Sequence, residues 1–226
     1  EDKVVLSPGS PCPILFGIRG DDPKVLPDAM RALKGEKIDR WLVFESNQGT
    51  DDHLVPSRVA GVKPFSSATI SGAIASEPRT IPGGHVIASL RDATGEIDVA
   101  IYEPAKGFRD VLRALVPGDR VVACGGLREK PLTINIEKLN VTRLVKIVRK
   151  VSNPRCAKCG KAMKSEGKGL GFRCERCGTK ARKGAGAYET VPRALTTGWY
   201  EPPACARRHL AKPLKRTEWK LGKIMA

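Results

Sequence analysis

Four cysteines constrain this 226-residue chain more than any other feature. They read Cys156-x-x-Cys159, fourteen residues, then Cys174-x-x-Cys177. Each CxxC pair forms a tight knuckle that aims two sulfurs at one point. Two knuckles together supply the tetrahedral thiolate set that zinc prefers. Gly160 and Gly178 each follow the second cysteine of a pair, where the chain must turn beneath a metal and a residue without Cβ fits. Four thiolates fill every coordination position, so no open site remains for a catalytic water, and the expected zinc is structural. Iron shares this ligand set, and the spacing alone does not separate the two metals. In so small a unit, metal binding is folding: structural zinc in finger peptides contributes roughly 10–16 kcal/mol. Cys12 and Cys124 lie in apolar, strand-like surroundings and read as core residues. Cys205 and His209, spaced i, i+4, form a possible second ligand pair, although a complete four-cysteine site needs no further ligand.

Charge is distributed as unevenly as the cysteines. Residues 1–148 hold 20 Lys/Arg and 19 Asp/Glu, a net of +1, whereas residues 149–226 hold 20 and 5, a net of +15. Four zinc-bound thiolates and their zinc would lower the second figure by two. The excess therefore coincides with the cysteine module, and a polyanion is its natural partner. A solvated basic tail is the plainer alternative. Around the cysteines stand Lys158, Lys161, Lys164, Lys168, Arg173 and Arg176, and the tail adds Arg207, Arg208 and Lys212. Backbone phosphate contacts from such residues give salt-dependent affinity with little sequence information. Gly167-Lys168-Gly169-Leu170-Gly171-Phe172 reads as a hairpin tip, with Phe172 free either to stack on a base or to pack inside the module. No stretch approaches the roughly 20 apolar residues needed to span a bilayer, and the N-terminus lacks the regions of a signal peptide. Paired cysteines suit metal in a reducing compartment better than a disulfide framework, so the expected setting is cytoplasmic. The chain opens on Glu-Asp-Lys-Val-Val without Met and is expected to be part of something longer.

Pattern and punctuation divide the chain into residues 1–65, 66–149, 150–186 and 187–226. In the first segment, Cys12–Ile18 and Ile38–Phe44 read as strands around a helix that carries Ala29 and Leu33 and stops near Gly35, a partial β-α-β unit of ferredoxin-like type. The second segment gives strands at Thr69–Ser76, His85–Leu90 and Glu96–Tyr102. A helical stretch at Lys106–Leu115 carries Phe108, Leu112 and Leu115, and a strand at Arg120–Leu127 and a long strand or strand pair at Thr133–Val148 complete the segment. Three strands, one helix and two strands is the order of an OB-fold, a five-stranded Greek-key barrel that commonly binds oligonucleotides. The third segment is the four-cysteine zinc ribbon. The fourth is a basic tail, extended at Tyr200-Glu201-Pro202-Pro203 and helical over Ala204–Ala211. The predicted fold class is thus multidomain, α/β and β. Catalytic patterns are missing: there is no GxxxxGK[ST] phosphate loop, and the three histidines are too scattered for a triad.

Read in order, several strings resemble one family. They are Ile-Leu-Phe-Gly-Ile-Arg-Gly-Asp (14–21), Asn-Gln-Gly-Thr-Asp (47–51), Gly-Gly-His-Val (83–86), Tyr-Glu-Pro (102–104), Gly-Lys-Gly-Leu-Gly-Phe-Arg-Cys (167–174), Tyr-Glu-Pro-Pro (200–203) and Ala-Arg-Arg-His-Leu (206–210). Together they are similar to the C-terminal half of the archaeal tRNA 2-agmatinylcytidine synthetases. The resemblance implies an ATP-dependent ligase that attaches agmatine to the wobble cytidine of the CAU-anticodon isoleucine tRNA, which then reads AUA instead of AUG. It implies an N-terminal kinase-like domain that holds ATP, absent from this sequence, followed by ferredoxin-like, OB-fold and zinc-ribbon parts. This chain is then expected to bind tRNA without catalysing. Agmatine is a cation at both ends, and the turn Gly17-Ile18-Arg19-Gly20-Asp21 is the local candidate for its pocket; the plainer reading is that Asp21 and Asp22 cap the helix. A single-strand nucleic-acid-binding protein also joins OB-folds to a zinc ribbon, but such proteins stack bases on aromatics, and the barrel segment offers few beyond Tyr102 and Phe108. A non-catalytic ribosome- or polymerase-associated zinc protein is a third reading.

Overall fold

A computed structural model describes residue 11 and residues 13–217. The chain divides into two units, Glu1–Ser46 and Asn47–Ala226. In the first, the Asp22 carboxylate accepts from the Lys24 N–H at 2.9 Å and opens a 3-10 turn, Pro23–Val25. Helix α1 (Leu26–Ala32) follows, with Pro27 in its first turn, where a missing N–H costs nothing. The flanking strands expected from the apolar runs differ from what is seen. Residues 13–20 and 38–44 join no ladder among the described residues, and Cys12 lies outside them. A strand exists only through pairing and a second layer that buries its apolar face. Among its described residues this unit supplies neither: α1 buries none of its residues, and Leu42 and Phe44 are 88% and 81% exposed.

The second unit begins with a two-residue strand, β1 (Val55–Pro56), laid parallel to β2 (Ser67–Ile74). There follow β3 (Arg79–Ile81), β4 (His85–Arg91), β5 (Glu96–Ile101), helix α2 (Phe108–Arg113), β6 (Arg120–Arg128) and β7 (Thr133–Arg143). Strand β2 pairs antiparallel with both β4 and β6; β4 pairs with β5, β5 runs parallel to β7, and β7 returns against β6. The sheet therefore closes on itself with OB-fold connectivity, and closure removes its free edges. Alternation fills the interior: Ile70 and Ile74 from β2, Val86 and Leu90 from β4, Ile97, Val99 and Ile101 from β5. Phe108, Leu112 and Leu115 from the α2 region join the same core. At the β4–β5 hairpin, Asp92 accepts from the Thr94 and Gly95 N–H groups and the Thr94 hydroxyl, a local turn chemistry that fixes the register.

Strand β7 carries a bulge where it crosses β6. Cys124 on β6 faces Lys138, but Gly125 faces Ile136, so Glu137 is an extra residue in β7. A Cβ on Gly125 would sit 2.0 Å from the Asn135 carbonyl oxygen, so only glycine permits this approach. Cys124 is core, as expected, and burial pushes its thiol up to about 11.

Of the long strand or strand pair expected at 133–148, the structure has the pair. Beyond β7 the chain leaves as β8 (Ile147–Ser152) and returns as β12 (Ala187–Val191), antiparallel to it, with Arg149 paired to Glu189. Between them β9 (Lys164–Ser165), β10 (Phe172–Arg173) and β11 (Lys180–Ala181) form the small sheet of the cysteine module, with β10 central. The two-stranded arm is rooted at Asp119, which is completely buried. Its carboxylate accepts from the Val116 and Val145 N–H groups at 2.9 and 2.8 Å and takes a bidentate Arg193 guanidinium at 2.7 Å on each oxygen. Val145 precedes the outgoing strand and Arg193 follows the returning one, so one carboxylate holds both ends. Burial alone would raise its pKa, but Arg193 and the two N–H groups hold it below the usual carboxylate range.

Strand β13 (Gly198–Tyr200) then pairs with β7. The helix expected over 204–211 shrinks to a 3-10 turn, Ala204–Ala206. Beyond that turn the chain pairs with a distant segment instead: the His209 and Leu210 carbonyls accept from the N–H groups of Gly49 and Asp51 at 2.8 and 3.1 Å. Cys205 and His209 are accordingly not aligned as a helical ligand pair.

Candidate zinc centre and nucleic-acid surface

The two knuckles repeat each other bond for bond. Gly160 N–H donates to the Cys156 carbonyl at 2.8 Å, and Cys156 N–H to the Lys161 carbonyl at 2.9 Å; Gly178 to Cys174 at 2.9 Å and Cys174 to Thr179 at 2.8 Å are their counterparts. The turning glycines have φ of 71° and 73°. These turns bring the sulfurs of Cys156 and Cys177 to 3.4 Å, of Cys159 and Cys174 to 3.4 Å, and of Cys159 and Cys177 to 3.7 Å. All four lie within 4.8 Å of one another. Thiolates about 2.3 Å from a central zinc would be spaced nearly as these are, so the donor set fits the ion. The Thr179 hydroxyl and N–H pull the Cys177 thiol down to about 6. The Cys159 thiol, despite help from the Lys161 N–H, is pushed up to about 11 by the neighbouring sulfurs. The cluster thus divides its protons unevenly, and a bound dication would displace those that remain.

Met163 and Phe172 are the buried apolar residues of the module. Phe172 is 5% exposed, with the Lys150 ammonium 4.2 Å from its ring centroid, so it packs and offers no free face to a base. Its neighbours point outward. Lys158, Lys161, Lys164, Lys168, Arg173 and Arg176 are all exposed. Lys164 pairs with Glu175 at 2.6 Å and lowers that carboxyl's pKa. A surface pair of this kind is weak enough for a phosphate to compete with Glu175. The tip between β9 and β10 turns through Gly167, Gly169 and Gly171, all at positive φ. At Gly171 a Cβ would meet the Ala181 carbonyl at 2.5 Å.

The three tail cations are engaged differently. Arg207 is largely buried and pairs with Glu201 at 2.8 Å. Arg208 is 59% exposed at the side chain and pairs with Glu137 at 3.0 Å. Lys212 uses its backbone N–H on Asp51 at 2.7 Å. These contacts belong to a charged knot that the sequence pattern did not predict. The Lys138 ammonium, 1% exposed, meets the Asp51 carboxylate, and the bulged Glu137, 3% exposed, also takes His53 Nε2 at 2.9 Å. The strings at 47–51 and 206–210 are thus zipped together over β7. The legible signal is an adjacent Glu-Lys pair that breaks the alternation of Ile134, Ile136, Leu139 and Val141 in β7. In the first unit, Gly17, Arg19, Gly20 and Asp21 are exposed and Ile18 is half-buried, and Asp22 caps the 3-10 turn that leads into α1. No helix among the described residues is long and apolar enough to cross a membrane.

Barrel and centre define the class: an OB-type protein that carries a four-cysteine zinc ribbon on a two-stranded arm. Residues 1–53 match the TiaS FLD domain and residues 153–195 the TiaS C-terminal zinc ribbon domain. The chain is 44% identical over 220 residues to the tRNA 2-agmatinylcytidine synthetase TiaS of Methanocaldococcus jannaschii, covering 95% of this chain and 50% of that protein. Its counterpart in Methanosarcina mazei is 45% identical over 217 residues, with the same coverage. Among solved structures, apo TiaS, an agmatidine synthetase of an isoleucine tRNA, matches with TM-score 0.72 and 40% identity over 97% of this chain and 52% of that one. A complex of TiaS with its isoleucine tRNA and ATP matches with TM-score 0.74 and 40% identity over 97% and 51%. The chain is thus similar over nearly its whole length to TiaS proteins, with its own C-terminal region matching their C-terminal zinc ribbon, and it spans about half the length of the curated relatives it matches.

Proposed function

We propose that this chain is the tRNA-binding portion of an ATP-dependent ligase that attaches agmatine to the wobble cytidine of the CAU-anticodon isoleucine tRNA. One observation carries the reading: a barrel of OB type bears a cationic, four-cysteine arm, in a chain whose relatives include a protein solved with an isoleucine tRNA and ATP. On this reading zinc is structural. Its four thiolates leave no open position, and the ion holds the knuckles so that Lys158, Lys161, Lys164, Lys168, Arg173 and Arg176 present charge to phosphates from a rigid base. Arg208 and Lys212 extend the basic surface over the barrel, and Arg207 positions the tail through Glu201. ATP and agmatine chemistry is assigned to the longer parent, with an N-terminal kinase-like domain as its partner. The turn Gly17–Asp21 in the first unit, with the Asp21 carboxylate, is the proposed contact to agmatine. The setting is the cytoplasm, where thiolates stay reduced.

Salt-dependent binding tests this directly. Replacing Lys164, Lys168 and Arg173 by Ala should flatten the slope of log K against log salt by about two to three units, at 0.7 to 0.9 per lost phosphate contact. Folded tRNA should compete better than single-stranded RNA or oligo-dT. An unchanged slope would remove the ribbon from the interface, and equal affinity for oligo-dT would favour a general single-strand binder.

A further inference from the structure

On the reading above the ribbon meets phosphates, which carry no base information, and its Phe172 is buried, whereas its Tyr188 is 47% exposed on the arm. A different aromatic is presented by the barrel. Phe65, just before β2, is 82% exposed. Its φ is +61°, a left-handed conformation that is an outlier for a bulky residue and persists only where the surroundings impose it. They do impose it: the Phe65 N–H donates to the Leu127 carbonyl at 3.0 Å, and the Leu127 N–H to the Ser66 carbonyl at 2.8 Å. The Ser66 hydroxyl closes the turn on the Lys63 carbonyl at 2.7 Å. A strained, hydrogen-bonded turn thus holds an apolar ring out in solvent.

The ring's surroundings indicate its partner. Residues 54–66 and 121–128 contain no Asp or Glu, and their Arg58, Lys63 and Arg128 are all exposed. Arg128 reaches the Tyr102 hydroxyl at 3.4 Å. One residue before Leu127, Gly126 leaves room for the Arg208 guanidinium, which lies 2.8 Å from where a Cβ would stand. Asn135, directly across from Gly126, has its side-chain carbonyl oxygen buried without a hydrogen-bond partner. The exposed charged residues of the two segments that meet at Phe65 are thus all cations, which suits an RNA strand.

We propose that Phe65 is the stacking platform for one unpaired nucleobase of the bound RNA, with Arg58, Lys63 and Arg128 holding the adjoining phosphates. The proposal rests on the RNA-binding reading above and adds the site at which a single-stranded nucleotide is taken. Phe65→Gly is the informative variant, because glycine suits φ +61° and the fold should survive. Binding of tRNA and of a short unstructured RNA carrying 2-aminopurine would be measured across a salt series for wild type, Phe65→Gly, Phe65→Leu and Phe65→Trp. Stacking on one aromatic predicts a loss of about 5- to 150-fold for the Gly variant with an unchanged salt slope. It also predicts a lost 2-aminopurine quench, a persistent deficit in the Leu variant and recovery in the Trp variant. Lys63→Ala and Arg128→Ala should instead each reduce the slope by about 0.7 to 0.9. Wild-type-like RNA binding by Phe65→Gly would overturn the stacking role alone, and wild-type-like RNA binding by Phe65→Leu would overturn it in favour of a plain apolar contact. A wild-type chain that binds neither RNA would overturn the RNA-binding reading and this site with it.

Discussion

Replacing Asp119 by Ala should be among the most damaging single changes in the chain. The carboxylate is fully buried and satisfies two backbone N–H groups and a guanidinium that is itself only 11% exposed. Its removal strands the Arg193 charge in the interior and leaves Val116 and Val145 unpaired. Breaking a buried pair from one side costs about 3–5 kcal/mol, against a total stability on the order of 5–15 kcal/mol. At ~2–4 °C per kcal/mol for a chain of this size, the melting temperature should fall by about 6–20 °C. Scanning calorimetry of the zinc-loaded protein at neutral pH measures this. Because Val145 and Arg193 flank the arm, limited trypsin digestion should also cut faster near Lys146 and Arg193 than in wild type. Pairing Asp119→Leu with Arg193→Met removes the stranded charge and should recover part of the loss. A melting temperature within about 2 °C of wild type for Asp119→Ala would refute the reasoning.

Acid should act on the same clasp. The folded-state pKa of Asp119 lies below its ordinary value of 3.8, and that of Asp92 is lowered to about 2 by the Thr94 hydroxyl and the Val59 N–H. Each contributes stability that is fully present above pH ~4 and is lost as pH falls through the folded value; urea midpoints from about pH 5 to 2 should show this, with a shallower fall in Asp92→Asn. Asp51→Ala leaves the Lys138 ammonium, 1% exposed, without its carboxylate and should destabilise by about 3–5 kcal/mol, whereas Asp51→Asn combined with Lys138→Met should recover most of it in chemical denaturation. Native mass spectrometry should find one zinc per chain. Its chelation should unfold the module around Met163 and Phe172 while the far-ultraviolet signal of the barrel persists, and simultaneous loss of both would show that the ribbon is not a separate cooperative unit.

Local chemistry explains which features are legible along the chain. The CxxC knuckles, the Asp92 turn and the alternation of Ile97, Val99 and Ile101 are each encoded within a few residues, so spacing alone predicts the metal ligands and the barrel strands. The order of three strands, a helix and two strands carries the OB topology for the same reason. By contrast, the expected strands around α1 find no ladder among the described residues, and the tail expected to be helical from Ala204 onward pairs with Gly49 and Asp51, some 160 positions away in sequence; neither outcome has a local signal. Phe172 is open to stacking or packing from its neighbours alone, and the Lys150 ammonium and the small sheet decide for packing. Phe65 draws no notice in the sequence because nothing beside it marks a positive φ. What the sequence determined by itself is the metal set, the barrel pattern and the segregation of positive charge. What only the tertiary structure decided is which charges are spent internally: Asp119 on Arg193, Lys138 on Asp51, Glu137 on His53 and Arg208. Hydrophobic periodicity is a property of neighbours along the chain, whereas the partner of a buried charge is fixed by closure of the barrel and by a bulge that no short stretch encodes.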